Sequence, residues 1–208
     1  MQTRNFLGLI LTAALGCAGT DNASAEPDEQ AAAAESLHRG DAGLSCQRSY
    51  NVRKDKRVAQ IPRDDVELID TLVPHHQGAV EMADMELEHG QDADIKAMAQ
   101  DMKDTQAREI EELLAIRQRL TGCTEITPLR DPHMQQSMQE MMGVSGAALD
   151  RMFLEEMIPH HASAVSFTHN ALPNLKEADL EKMAIDIIDA QSMEIGNMHM
   201  ELKELEKH

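Results

Sequence analysis

Two stretches decide how this chain is read: "LVPHHQGAV" (Leu72–Val80) and "MIPHHASAV" (Met157–Val165). Each sets a Pro-His-His triplet in an apolar run. Sliding the sequence onto itself aligns Asp65–Leu120 with Asp150–Leu205 without a gap, and the two triplets coincide. Further along the same register, Met98, Ala99, Asp101, Asp104, Gln106, Glu109 and Ile110 fall on Met183, Ala184, Asp186, Asp189, Gln191, Glu194 and Ile195. A match of that length without insertions marks two equivalent structural units.

Each unit reads as a helical hairpin. Ile69, Leu72, Val73, His76, Val80, Ala83 and Leu87 recur at spacings of three and four, which places them on one helical face. Gly90 interrupts the pattern. It resumes at Ile95, Met98, Met102, Gln106, Glu109, Leu113, Ile116 and Leu120, and stops near Gly122. The second unit follows the same scheme through Phe153, Met157, His160, Ala164 and Phe167, then Pro173, then Leu180 to Leu205. The apolar pattern extends upstream of Pro74 and Pro159, so each first helix is expected to run through its proline with a kink. Two hairpins with one apolar stripe per helix bury those stripes best as a four-helix bundle. The expected fold is therefore all-α: an up-down four-helix bundle of two repeated hairpins (64–120 and 147–205), with a short extra helix, about His133–Met142, between them.

Composition agrees with helix. The chain holds 15 Met but only three Phe, one Tyr and no Trp. Its 19 Lys plus Arg against 37 Asp plus Glu give a formal charge of -18, a field that repels phosphate backbones and argues against nucleic acid as a partner.

The N-terminus has the features of an export signal, assigned to residues 1–16: Arg4, then the apolar "FLGLILTAALG" (Phe6–Gly16), too short for a bilayer span. "ALGC" (Ala14–Cys17) resembles a lipobox with Cys17 as the lipidated residue, and "ASA" (Ala23–Ala25) offers an ordinary cleavage site instead. Both imply export to the cell envelope or beyond, with membrane contact through a lipid anchor only. Residues 17–45 read as a polar tether, and 46–208 as the folded domain. In an oxidising compartment Cys46 and Cys123 are expected to form a disulfide, stabilising by about 4 kcal/mol on the chain-entropy argument.

The candidate chemistry lies where polar residues interrupt the stripes. Neighbouring residues on a helix point about 100° apart, so both histidines of each pair can face inward. Gln106, Glu109, Gln191 and Glu194 stand on the partner helices where an apolar residue is expected, and a buried carboxylate is costly unless it is paired or metal-bound. Imidazole with carboxylate is a metal-ligand set, and helical bundles build such sites from facing helices. The alternative is a satisfied polar network in a structural or partner-binding bundle. Thioethers near histidine, in "HMQQSMQEMM" (His133–Met142) and "MHM" (Met198–Met200), add soft donors that select copper(I) or silver(I).

The doubled "PHH" motif, each copy followed by a helix carrying Q-x-x-E-I, resembles the ferritin-like family known as domain of unknown function (DUF) 305, which includes exported, copper-binding CopM-like proteins. The resemblance spans about Asp64 to Leu205. It implies a ferritin-like four-helix fold and metal ligands at His75, His76, His160 and His161, with Glu109 and Glu194 in support. Met198 and His199 join the candidates; the first repeat has Leu113 and Leu114 there, which would confine soft-ligand chemistry to one half. The implied cargo is a copper ion, with another transition metal as the alternative, in a buffering or resistance role. A homo-oligomer is left open. An enzyme is the weaker reading. Of the Glu-x-x-His pairs a di-metal oxidoreductase needs, only Glu86–His89 occurs, and its repeat equivalents are Ala171 and Asn174. There is no G-x-S-x-G for nucleophilic catalysis either.

Overall fold

The computed structural model describes residues 61–126 and 132–207. The assigned export signal, Cys17, the tether and Cys46 lie outside the described residues, whereas Cys123 is buried just beyond the second helix. Five α-helices and no strand occur among the described residues, so the all-α expectation holds. They are α1 (Asp65–His89), α2 (Ala93–Thr121), α3 (Pro132–Met141), α4 (Ala147–Ala171) and α5 (Ala178–Leu205), with a 3-10 turn at Leu172–Asn174. None is long and apolar enough to cross a membrane.

Local chemistry sets the boundaries. Asp64 caps α1 by accepting the Glu67 N–H at 2.9 Å, and Asp92 caps α2 by accepting from Asp94 and Ile95. Gly122 ends α2 in the left-handed conformation, φ 74°, which only glycine adopts without cost. Pro74 and Pro159 lie inside α1 and α4, and both helices run through them as expected. The lost backbone bonds are compensated by packing, since the flanking Val73, Met157 and Leu154 are fully buried.

α1 and α2 form one antiparallel hairpin and α4 and α5 the other. The hairpins meet chiefly where α1 packs antiparallel against α4, with a smaller contact between α2 and α5. An approximate two-fold axis passes between His75 and His160, which are repeat equivalents and stack on each other. The same symmetry governs the hairpin loops. Asp65 accepts the backbone N–H groups of Lys176 and Glu177, and its repeat equivalent Asp150 accepts those of Gln91 and Asp92. Each repeat thus supplies the carboxylate that caps the other repeat's second helix. Sequence reading aligned these aspartates without seeing that their role is exchanged.

Two apolar clusters flank the polar middle of the molecule, and they differ in chemistry. One holds Leu68, Ile69, Leu72, Leu113, Leu180 and Ile187. The other holds Met82, Met102, Met141, Met157 and Met198, with partly buried Met85, Met98, Met134, Met138 and Met152 around them. Repeat symmetry would place Phe167, Ile187, Leu72 and Leu113 opposite Met82, Met102, Met157 and Met198. The methionines therefore gather mainly at one end, with Met183 packing at the other. At the methionine-rich end α3 lies across α1 and α4, held by Ser137 Oγ donating to Glu156 at 2.6 Å and by Met134 resting on Gly78.

A buried ion pair ties the other end. Arg117 Nε donates to Asp70 Oδ1 at 2.7 Å, and its guanidinium also donates to the Cys123 carbonyl at 2.7 Å, satisfying the chain just past α2. Its repeat equivalents are Leu202 and Glu155, so this link belongs to the first repeat only. Asp70→Ala strands a buried guanidinium and is expected to cost about 3–5 kcal/mol in urea unfolding. Asp65→Ala removes a cap for two N–H groups and is expected to cost about 1–3 kcal/mol. Equal costs would contradict the distinction between a stranded charge and a lost cap.

Candidate metal centre

The four histidines occupy two kinds of position. The second member of each pair turns toward its own hairpin partner. His161 Nε2 lies 2.8 Å from Glu194 Oε2 in a hydrogen bond, and His76 Nε2 lies 2.9 Å from Glu109 Oε2, off the hydrogen-bond direction. Both rings are fully buried, while the glutamates keep partial solvent contact. The first member of each pair turns toward the other repeat. The His75 and His160 rings stack with centroids 3.6 Å apart and planes tilted 32°. His75 Nε2 lies 3.1 Å from the His160 carbonyl and 2.9 Å from Ser163 Oγ, and Phe167 closes edge-on at 5.4 Å.

Burial holds His75 and His160 well below the ordinary imidazole pKa, and the neighbouring histidines add to the effect. Both are therefore neutral at physiological pH, the form that ligates metals.

Many of these polar atoms lack partners. Nδ1 of His75, His76 and His161, both ring nitrogens of His160, and both side-chain polar atoms of Gln106 and Gln191 are buried with no hydrogen bond. A polar core that satisfied only itself would not leave so many donors and acceptors orphaned. Imidazole lone pairs of this kind, with carboxylates close by, suit a transition-metal ion. Among the described residues, no three His, Cys, Asp or Glu side chains converge as a ready metal cage. The His–Glu contacts come as two separate pairs, one in each hairpin.

The doubled motif and this geometry bear directly on kinship. A family described as a domain of unknown function, DUF305, matches residues 18–117 and 124–202. The chain belongs to the DUF305 family. Among solved structures, CopM in its Cu(II)-bound form is 28% identical, with TM-score 0.60, covering 68% of this chain and 97% of CopM. CopM in an Ag-bound form obtained by soaking is 30% identical, with TM-score 0.58, covering 67% and 96%. A putative secreted DUF305 protein from Streptomyces coelicolor shares the fold at 21% identity and TM-score 0.58, covering 66% and 89%. No curated protein matches the chain.

Within this DUF305 domain the remaining candidates part company. Met198 lies one turn from Glu194 on α5 but is wholly buried in the methionine-rich cluster. His199 is exposed and stands apart from the four inward histidines. Met198 is buried and His199 exposed, so only the thioether faces inward.

The most perturbed carboxyl was also missed. Glu86, weighed in the sequence only as half of a Glu-x-x-His pair, is fully buried, while His89 is exposed at the helix end. The Glu86 carboxyl lies beside Asp150, and a Cβ at position 90 would fall 2.0 Å from its Oε1, which is why Gly90 stands there. Burial first, then the neighbouring Asp150 carboxylate, pushes its pKa up to about 8. The folded state thus keeps a proton that the unfolded chain, at about 4.5, gives up. Stability from this group is full below pH 4.5 and is lost as pH rises toward 8. Glu86→Gln keeps the shape of the side chain without the ionisation. Its melting temperature is expected to match wild type near pH 5 and exceed it by several degrees near pH 8. A gap that does not change with pH would refute the shifted carboxyl.

Proposed function

We propose that this protein is an exported, lipid-anchored copper-binding protein of the cell envelope, serving as a copper buffer or resistance factor. In this reading its hairpins close as an up-down, ferritin-like four-helix bundle, and copper is held by His75, His76, His160 and His161 with Glu109 and Glu194 in support. The observation that carries it is the set of inward-facing imidazoles with orphaned nitrogens, two of them beside carboxylates. The likeness to CopM, a protein solved with Cu(II), Cu(I) and Ag bound, supports the choice of metal. Lipidation at Cys17 and a Cys46–Cys123 disulfide complete the proposal on sequence grounds.

Geometry also weighs against the competing readings. A structural bundle has no use for unsatisfied imidazoles in its core. A di-metal oxidoreductase would need Glu86 and His89 to project together, whereas one is buried against Asp150 and the other is exposed.

The test is copper binding by the purified full chain, measured by chelator competition for both oxidation states. A double His76→Ala/His161→Ala variant is expected to lose tenfold or more in affinity. Glu109→Gln/Glu194→Gln, gentler on the core, is expected to weaken Cu(II) binding more than Cu(I), because carboxylate is a hard donor. Wild-type protein that binds no copper would end the proposal.

A further inference from the structure

Two glycines stand inside helices among the described residues, Gly78 on α1 and Gly196 on α5. Gly78 leaves room for Met134, which a Cβ there would meet at 2.9 Å. Gly196 is exposed, and a Cβ there would meet nothing within 4 Å. Glycine in a helix interior destabilises relative to alanine, yet no contact among the described residues calls for one here. Its repeat equivalent is Glu111. Three of the five exposed large apolar side chains among the described residues surround it. Ile185, Met193 and Met200 are 44%, 65% and 58% exposed, and they share with Gly196 the face of α5 opposite Ile187, Gln191 and Met198. At the equivalent positions α2 carries Gln100, Arg108 and Ala115, so the apolar outer face belongs to the second repeat only. Two opposite charges, Asp189 and Lys203, are exposed on the same face, seven residues before and seven after Gly196.

We propose that this face of α5 docks a second copy of the chain, the two α5 helices packing antiparallel across a two-fold axis at Gly196. In such an isologous contact, a residue before Gly196 lies level with the one equally far after it in the other copy. Asp189 then faces Lys203 of the other copy, and the axis makes that pair twice. Met193 lies level with His199, and Met200 with Ser192. A parallel pairing would instead set Asp189 against Asp189 and Lys203 against Lys203, so charge selects the antiparallel arrangement. The missing side chain at 196 lets the two backbones approach closely where the axis passes. One helix against one helix buries less than a standard interface, so the dimer is weak and forms in the micromolar range. The inference is independent of the copper-binding reading, because the inward face of α5 is untouched.

The test is sedimentation velocity of the purified full chain over a micromolar concentration series. Thiols are blocked, and the salt is physiological, so that repulsion between two acidic copies is screened. Wild type is expected to pass from monomer to dimer as concentration rises. Gly196→Glu, which copies the equivalent residue of the first repeat, is expected to stay monomeric throughout, with a melting temperature no lower than wild type. Asp189→Lys is expected to weaken the dimer about fivefold or more. Combining it with Lys203→Asp is expected to restore the affinity to within about twofold of wild type. Arg108→Ala, on the equivalent face of α2, is expected to change nothing. A wild-type chain that stays monomeric, a dimer that survives Gly196→Glu, or a charge swap that restores nothing would each overturn the proposal.

Discussion

The stacking of His75 on His160 is the contact around which the molecule is organised. Two neutral imidazoles, His160 buried and His75 part-buried, sit with ring centroids 3.6 Å apart where α1 crosses its own repeat. Residues equivalent under the repeat can touch there because the helices run antiparallel. From that point outward the symmetry dictates partners: His76 and His161 turn to glutamates on α2 and α5, and Asp65 and Asp150 exchange caps across the hairpin loops. A gapless repeat is what such a pseudo-dimer needs. One inserted residue would rotate a helix by about 100° and turn every inward histidine to another face.

The symmetry is broken where chemistry is added. Ten of the 15 methionines collect in one apolar cluster, and α3 closes only that end. Flexible, polarisable thioethers fill irregular space well. Packing alone, however, gives no reason for aliphatic side chains at the equivalent positions of the other end. The polar layer between the clusters is left with unsatisfied nitrogens and amides, a cost no folding advantage explains. Glu86 and Arg117 show the same one-sidedness: a protonated carboxyl against Asp150 at the methionine end, and a buried ion pair with Asp70 at the aliphatic end.

Much of this was legible in the order of residues. Apolar spacing and a repeat register are local and additive, so the all-helical class, the hairpin breaks at Gly90 and Gly122, and the passage of α1 and α4 through proline could all be read directly. The expectation of glutamate facing histidine followed from the same periodicity, and it holds for His76 and His161. It fails for His75 and His160, whose partners lie on the other repeat. His199 was grouped with Met198 by adjacency, yet the helix turns one inward and the other outward.

By itself, then, the sequence determined the doubled hairpin, the residue types available for chemistry and which face of each helix carries them. These depend on periods of three to four residues and on a repeat register that any chain reveals when laid against itself. Only the tertiary structure decided which hairpin meets which and along which helix. It also decided that a short connecting helix lies over Gly78, and that Glu86 is shut in against Asp150. Those outcomes join residues far apart in the chain, and contacts between separate elements leave no period in the sequence to be read.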